Sequence, residues 1–277
     1  MPDNDVKPQS SIDKYVMPYI ESLPSLDGKV AVDIPSGEGR ASYMFAQRGA
    51  AVRAFDLYPE FTTVAGVDTE FADLNDRIPL EDASADYLIC QEGIEHLPNK
   101  VDLLAEFNRV LKPGGTLILT TPNFSSARVR FWMLLAESDS GRRMPVSEID
   151  SIWFSEKRSD RLYFGHLFVI GVQSLQTLCR ISGFEVVERR RTAWSTSAIV
   201  FGLLIYPFAI VGSLLAYLRY SRANRHVDEA TRKSILWDRL KLNLSPQTLF
   251  GKHIFWVLRK TADTDECVEE LKSLVGS

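Results

Sequence analysis

A chain of 277 residues, 45% hydrophobic and 25% charged with a net charge of −4, allows one large α/β domain or two small ones. That balance excludes a disordered tail, a collagen-like repeat and a polytopic membrane protein. Cys90, Cys179 and Cys267 are too few and too scattered for a disulfide framework or a Cys-rich zinc site. A reducing compartment is therefore expected, and no metal. Residues 1–5 are polar and acidic, which does not read as a secretory signal.

In chain order, residues 1–26 read as a polar lead-in and a short helix over 12–23, interrupted by Pro18. From Gly28 onwards short apolar runs (30–34, 51–55, 87–90 and 116–120) alternate with helical stretches at 40–48 and 101–111. In the second stretch Val101, Leu104, Phe107, Val110 and Leu111 recur at helical spacing. Such alternation predicts βαβ units and a doubly wound, mostly parallel sheet. A helix over 173–182, closed by Gly183, leads to two further strands at 184–188 and 253–259.

The first strand runs into Asp33-Ile34-Pro35-Ser36-Gly37-Glu38-Gly39-Arg40, with a helix after it. Glycines between strand and helix let the backbone approach a ligand, and ligands of doubly wound sheets sit at these carboxyl ends. Asp56 closes the second strand, where a carboxylate can accept both hydroxyls of a ribose. Asp73, after Phe71-Ala72, can take a hydrogen bond from an adenine amino group. Each Asp alone also fits a turn or helix cap.

Together these motifs resemble class I methyltransferases that use S-adenosylmethionine, over about residues 28–190 plus the terminal strand. Val32 to Gly39 is similar to the family's first motif, and Asp56 with Leu57 to its ribose-binding acid. Asp73-Leu74 and the run from Ile78 to Asp86 are similar to its adenine region and fourth strand. Gly93-Ile94-Glu95-His96-Leu97 and Leu111-Lys112-Pro113-Gly114-Gly115-Thr116 are similar to its next two landmarks. The resemblance implies a Rossmann-like seven-stranded sheet with an antiparallel terminal strand, and S-adenosylmethionine as cofactor. It implies a cofactor site of Asp33, Pro35, Ser36, Gly37, Gly39, Asp56, Leu57, Asp73, Leu74 and Gln91. Asp33 would face the methionyl ammonium, and Gln91-Glu92 would line the methyl donor. Two departures stand out. Pro35 replaces the family's first loop glycine, which stiffens the loop and removes a donor. The short span from Asp56 to Asp73, broken by Pro59 and Gly66, leaves the helix between strands two and three short or absent.

Methyl transfer from a sulfonium is an in-line displacement with a neutral leaving group, so positioning does most of the work. An oxygen acceptor needs a base. Candidates are His166, Glu92 and His96, although each histidine also reads as packed or structural. Residues 122–170 form a long segment expected to build the acceptor pocket or a lid, with Phe131, Trp132, Leu134 and Leu135 as an apolar cluster. Trp153, Phe154 and Tyr163 in that segment read as core or pocket.

Residues 198–218 are almost purely hydrophobic, and none from 192 to 218 is charged. Arg189-Arg190-Arg191 precedes this run. Arg219, Arg222, Arg225, Arg232, Lys233, Arg239 and Lys241 follow it, against Asp228, Glu229 and Asp238. One helix of 21 residues would measure about 32 Å, enough to cross a bilayer core. The strands on either side pair with one another by the resemblance, so a single crossing would part them. A helix–Pro–helix hairpin broken at Pro207 is expected instead, in the interface of an anionic membrane on the cytoplasmic side. A hairpin buried on the protein's own sheet or in an oligomer interface is the other reading. Nucleic acid is not an expected partner.

The expected organisation is a lead-in (1–26), a methyltransferase domain (27–191 plus 251–262), an apolar and basic insertion (192–250) and a tail (263–277). The expected activity is methyl transfer to an amphipathic or lipid-linked small molecule, with O-methylation favoured. The alternative is a catalytically silent binding or scaffold protein of the same fold, docked at a membrane.

Overall fold

The computed structural model describes residues 6–138, 147, 151–153, 162–223 and 227–275, in two compact units. The first unit comprises Met1–Thr121, Leu178–Arg190 and Phe255–Thr264. It opens with α1 (Asp13–Glu21), then β1 (Val30–Asp33), α2 (Arg40–Gln47), β2 (Ala51–Asp56) and β3 (Thr69–Phe71). β4 (Ala85–Gln91), α3 (Lys100–Val110) and β5 (Leu111–Pro122) follow. α5 (Val172–Ile181), β8 (Phe184–Arg189) and β9 (His253–Lys260) return the chain to the same sheet.

The strands are ordered β3-β2-β1-β4-β5-β9-β8. β1 pairs parallel with β2 and β4, β2 with β3 and β4 with β5, whereas β9 runs antiparallel to β8. The order reverses between β1 and β4, the switch point at which doubly wound sheets open a crevice. The seven-stranded, mostly parallel sheet and its reversed final strand are those expected from the sequence.

One face of the sheet is covered by α1 and α2. Val16 and Ile20 of the first, Ile12 at its cap and Phe45 of the second bury against Ala31, Ile89, Ile118 and Phe255. Tyr19 meets the Phe255 ring edge-on at 5.5 Å. α3 starts at an Asn99 cap whose side chain accepts the Asp102 N–H, and it buries Leu103, Leu104, Phe107 and Val110. Pro18 lies inside α1 rather than breaking it. The helix is held at its start by Ser10 and Asp13, each accepting the other's backbone N–H.

No α-helix joins β2 to β3, as the Pro59 and Gly66 interruptions predict; a single 3₁₀ turn (Pro59–Phe61) stands there. The segment braces the glycine loop instead. Thr63 and Val64 N–H groups both reach the Glu38 carbonyl, and Thr62 Oγ1 donates to Thr69 Oγ1 at 2.7 Å.

The second unit comprises Pro122–Thr177, Arg191–Ile254 and Asp265–Ser277. It contains α4 (Ala127–Ala136), the antiparallel pair β6 (Ile152–Trp153) and β7 (Tyr163–Phe164), α6 (Thr196–Tyr220), α7 (Glu229–Leu244) and α8 (Pro246–Phe250). α9 (Thr264–Val275) ends the described chain. Asn123 Nδ2 ties the start of this unit to α8 through the Thr248 and Gly251 carbonyls, both at 2.8 Å.

Two expectations are corrected here. The apolar run is not a hairpin broken at Pro207 but one helix of 25 residues with that proline inside. Pro207 removes a single backbone hydrogen bond. The Ser195 cap and packing against α4, α7 and α8 hold both halves in line; Gly202, for example, lies so close to Phe250 that a Cβ would come within 2.4 Å of its ring. The apolar cluster of the long connection is likewise not a loop. It forms α4, in which Phe131 stacks on Phe201 of α6 at 4.5 Å and Trp132 meets the same ring edge-on. Leu134 and Leu135 stay exposed. Phe154 falls outside the described residues, Trp153 lies in β6, and Tyr163 is buried in β7.

Candidate active site

The crevice at the switch point is built from the carboxyl ends of β1, β2, β3 and β4. Asp33 ends β1 fully buried, and its Oδ2 accepts the Ser42 N–H at 2.9 Å and hydroxyl at 2.6 Å. The carboxylate thus closes the first turn of α2. After it the chain passes Pro35 and Ser36, whose N–H donates to the Phe55 carbonyl of β2. Gly37 (φ +51°) and Gly39 (φ +90°) then take left-handed conformations that favour glycine. A Cβ on Gly39 would press Val67 at 3.0 Å, whereas one on Gly37 would point into open space.

Asp56 ends β2 buried, and it organises the loop. Its Oδ2 accepts the Gly37 N–H and its Oδ1 the Tyr58 N–H, each at 2.8 Å. Leu57 beside it is half-buried. Asp73 is buried just beyond β3, with Oδ1 accepting both the backbone and side-chain N–H groups of Asn75; Leu74 is half-buried. At the end of β4, Gln91 Nε2 donates to Asp13 Oδ1 at 2.7 Å, which binds α1 to the crevice wall. Burial opposes the charge on Asp13, but the bonds from Ser10, Gln91 and Gln9 outweigh it and hold its carboxyl below the ordinary value. Neither Asp13 nor Ser42 was named by the sequence reading. The Ser10-x-x-Asp13 capping pattern could have signalled the first, while Ser42 carries no signal beyond its place in the first turn of a helix.

Glu92 follows with φ +52°, a left-handed conformation that is strained for a non-glycine residue and typical of functional sites. Its N–H donates to the Thr120 carbonyl at 3.1 Å. Next, Gly93 is required by contact: a Cβ there would lie 2.6 Å from Pro35 Cδ. His96 ends a 3₁₀ turn (Ile94–His96), half-buried, so Glu92 and His96 belong to one connection. His166 lies in the second unit, exposed, just after β7.

Burial raises the pKa of two carboxyls of the first unit, Asp33 and Glu95. Burial pushes Asp33 up to about 7, against the two Ser42 bonds and with help from the Asp56 charge. Burial, then the Glu92 charge, likewise raise Glu95, whose Oε2 accepts the Thr121 hydroxyl at 2.9 Å. A raised carboxyl pKa favours the folded state at low pH, and the benefit is lost as pH rises from the unfolded value through the folded one. For Asp33 that window runs from 3.8 to about 7. Unliganded protein is therefore expected to melt several degrees higher near pH 5 than near pH 8. Asp33→Asn should flatten the slope of melting temperature against pH, and an unchanged slope would show that Asp33 does not titrate in this range.

A class I methyltransferase architecture is what this sheet order, glycine loop and row of strand-end acids define. Residues 32–119 match the family described as Methyltransferase domain. Among curated relatives, the ubiquinone biosynthesis O-methyltransferase of Xanthomonas campestris pv. campestris is 31% identical over 144 residues. The match covers 49% of this chain and 60% of that protein. The protein of that name from Xylella fastidiosa is 30% identical over 145 residues, covering 49% and 59%. This chain thus spans about three-fifths of the length of these relatives. A solved structure from Listeria monocytogenes, assigned to the S-adenosylmethionine dependent methyltransferases, shares the fold with a TM-score of 0.50 at 13% identity, over 89% of this chain and 98% of that one.

The crevice fits the family's cosubstrate, S-adenosylmethionine. Two of the roughly four lone-pair positions on Asp56 are used by backbone, which leaves acceptors for both hydroxyls of a ribose. The open space above Gly37 lets that nucleoside approach the main chain. Asp33, Asp56, Asp73 and Gln91 are the residues that would hold it.

Proposed function

We propose that this protein transfers a methyl group from S-adenosylmethionine to an oxygen of an amphipathic or lipid-linked small molecule, at the cytoplasmic surface of a membrane. When bound, the cosubstrate supplies an electrophilic methyl on a sulfonium. Asp56 and the glycine loop grip the nucleoside, and the chain-end groups of β4 face the reacting end. The C–S bond breaks as a C–O bond forms, and the acceptor's hydroxyl proton passes to a base drawn from Glu92, His96 or His166. The oxygen acceptor follows the names of the O-methyltransferase relatives.

The observation that carries the membrane setting is α6. It is long and apolar enough to cross a membrane, yet only 11% of its most apolar window is buried. Leu203 and Phe208 are each 77% exposed. A core helix would hide these side chains, and a surface helix of a soluble protein would not carry them. Arg219 and Arg222 at its carboxyl end, and Arg189, Arg190 and Arg191 upstream of it, suit anionic headgroups. β8 and β9 pair in one sheet, so the chain must return to the side it left. α7, with 16 residues and charges at Arg232, Lys233, Asp238, Arg239 and Lys241, is too short and too polar to bring it back across. A helix embedded in one leaflet satisfies both constraints.

The test is incubation with S-adenosylmethionine labelled at the methyl group and a total membrane-lipid extract. Label in the lipid fraction, lost in Glu92→Gln or in one of the two histidine-to-Asn variants, supports the reading and names the base. Tight cosubstrate binding with no label transferred would make the protein a silent binding module.

A further inference from the structure

We propose that Arg130 is the acceptor's anion-binding residue: its guanidinium, held where α4, α6 and α7 meet, takes the phosphate or carboxylate head of the amphipathic molecule. This rests on the acceptor class proposed above and narrows it.

Arg130 stands in the first turn of α4. Its Nη2 donates to Asn243 Oδ1 at 2.8 Å and to the Asn243 carbonyl at 3.4 Å; Asn243 Nδ2 in turn donates to Ser213 Oγ of α6 at 2.7 Å. Every partner in this chain is neutral. Among the described residues no carboxylate pairs with the guanidinium, and Nε and Nη1 make no hydrogen bond. Partial burial desolvates the charge and no opposite charge offsets it, and the amino end of a helix is itself unfavourable for a cation. Arg128, two residues earlier in the same turn, adds a second positive charge. A structural arginine in such a place is normally neutralised. This one has its fork fixed by an amide while its remaining donors are left over, the arrangement that receives a phosphate or carboxylate bidentately.

The surroundings suit an amphiphile rather than a free anion. Leu134 lies one turn along the same face of α4 and is 82% exposed. Ser213 sits beside Leu214 and Leu215, which are exposed on α6. Head and tail therefore find adjoining polar and apolar surfaces within one unit.

Binding of dodecyl phosphate, dodecanol and inorganic phosphate is to be measured in nonionic micelles on the full chain, by titration calorimetry. Wild type should bind dodecyl phosphate at least about tenfold more tightly than dodecanol, the effect of one charged hydrogen-bonding partner. Arg130→Met should erase that preference. Asn243→Asp, which keeps the guanidinium but gives it an internal carboxylate, should erase it too without unfolding the unit. Both variants should bind S-adenosylmethionine as the parent does, so a failed methyltransferase reading shows separately as absent cosubstrate binding. Equal affinity for dodecyl phosphate and dodecanol, or a preference that survives both substitutions, would overturn the proposal. Inorganic phosphate binding as tightly as dodecyl phosphate would overturn it as well, by making the site one for a free anion.

Discussion

Asp56→Ala is expected to weaken S-adenosylmethionine binding by about a hundredfold or more, with a smaller effect on the fold. The carboxylate does two jobs. It receives the Gly37 and Tyr58 N–H groups, and it would present its remaining lone pairs to the ribose. Its removal leaves loop donors unpaired at a buried position, at about 1–3 kcal/mol. It also deletes an ionised acceptor for the sugar, worth about 1.5–3 kcal/mol. The first cost falls on free and bound protein alike, so the stated loss of binding comes from the two ribose hydroxyls, at about 1.5–3 kcal/mol each. Asp56→Asn should be nearly as damaging for binding, because its NH₂ must face one of two N–H donors. Calorimetry with S-adenosylmethionine and its demethylated product measures both variants, and circular dichroism confirms that they fold. An Asp56→Ala protein that binds the nucleoside like the parent would show that the crevice at Gly37 serves some other ligand.

Much of that crevice is legible in the sequence, because its parts are local. A strand-end Asp33, two glycines and a helix start within eight residues, and Asp56 closes the next strand. What the residues do there was less legible. Asp33 is expected to face the methionyl ammonium through water or backbone; that its Oδ2 also bonds Ser42 and closes α2 carries no signal in the sequence. Asp56 was read for the sugar alone, yet it also anchors the loop. Both are tertiary facts, since they depend on a backbone N–H brought close by folding. Pro35 stood out as a departure from the family's glycine. Its counterpart is Gly93, just beyond the carboxyl end of β4, where any side chain would strike the proline ring; no spacing rule links two such positions. The apolar run was recognised by composition, but its continuity through Pro207 was not. Proline's local preference for a break was outweighed by packing along α6 from α4, α7 and α8, which nothing local encodes. His166 is singled out in the sequence by its place in the long segment after β5, and it lies exposed in the second unit.

The second large effect is expected on α6. Leu203→Glu combined with Phe208→Glu should reduce binding to vesicles of phosphatidylcholine with one-third phosphatidylglycerol by about a hundredfold or more. Burying a leucine or phenylalanine side chain contributes roughly 1.5–3 kcal/mol; the double variant forfeits two and adds two anions that anionic headgroups repel. S-adenosylmethionine binding should not change, because both residues lie on an exposed helix of the second unit. Arg219→Ser with Arg222→Ser should act more mildly, at about 1 kcal/mol per cation, and only at low ionic strength. The two pairs separate the apolar from the electrostatic contribution. In fractionated cells, high salt should leave the parent protein with the membranes and detergent should release it. Release by salt alone would contradict insertion of α6. A Leu203→Glu/Phe208→Glu protein that turns from dimer to monomer, from a parent that never bound vesicles, would assign the same face to a second copy of the chain instead.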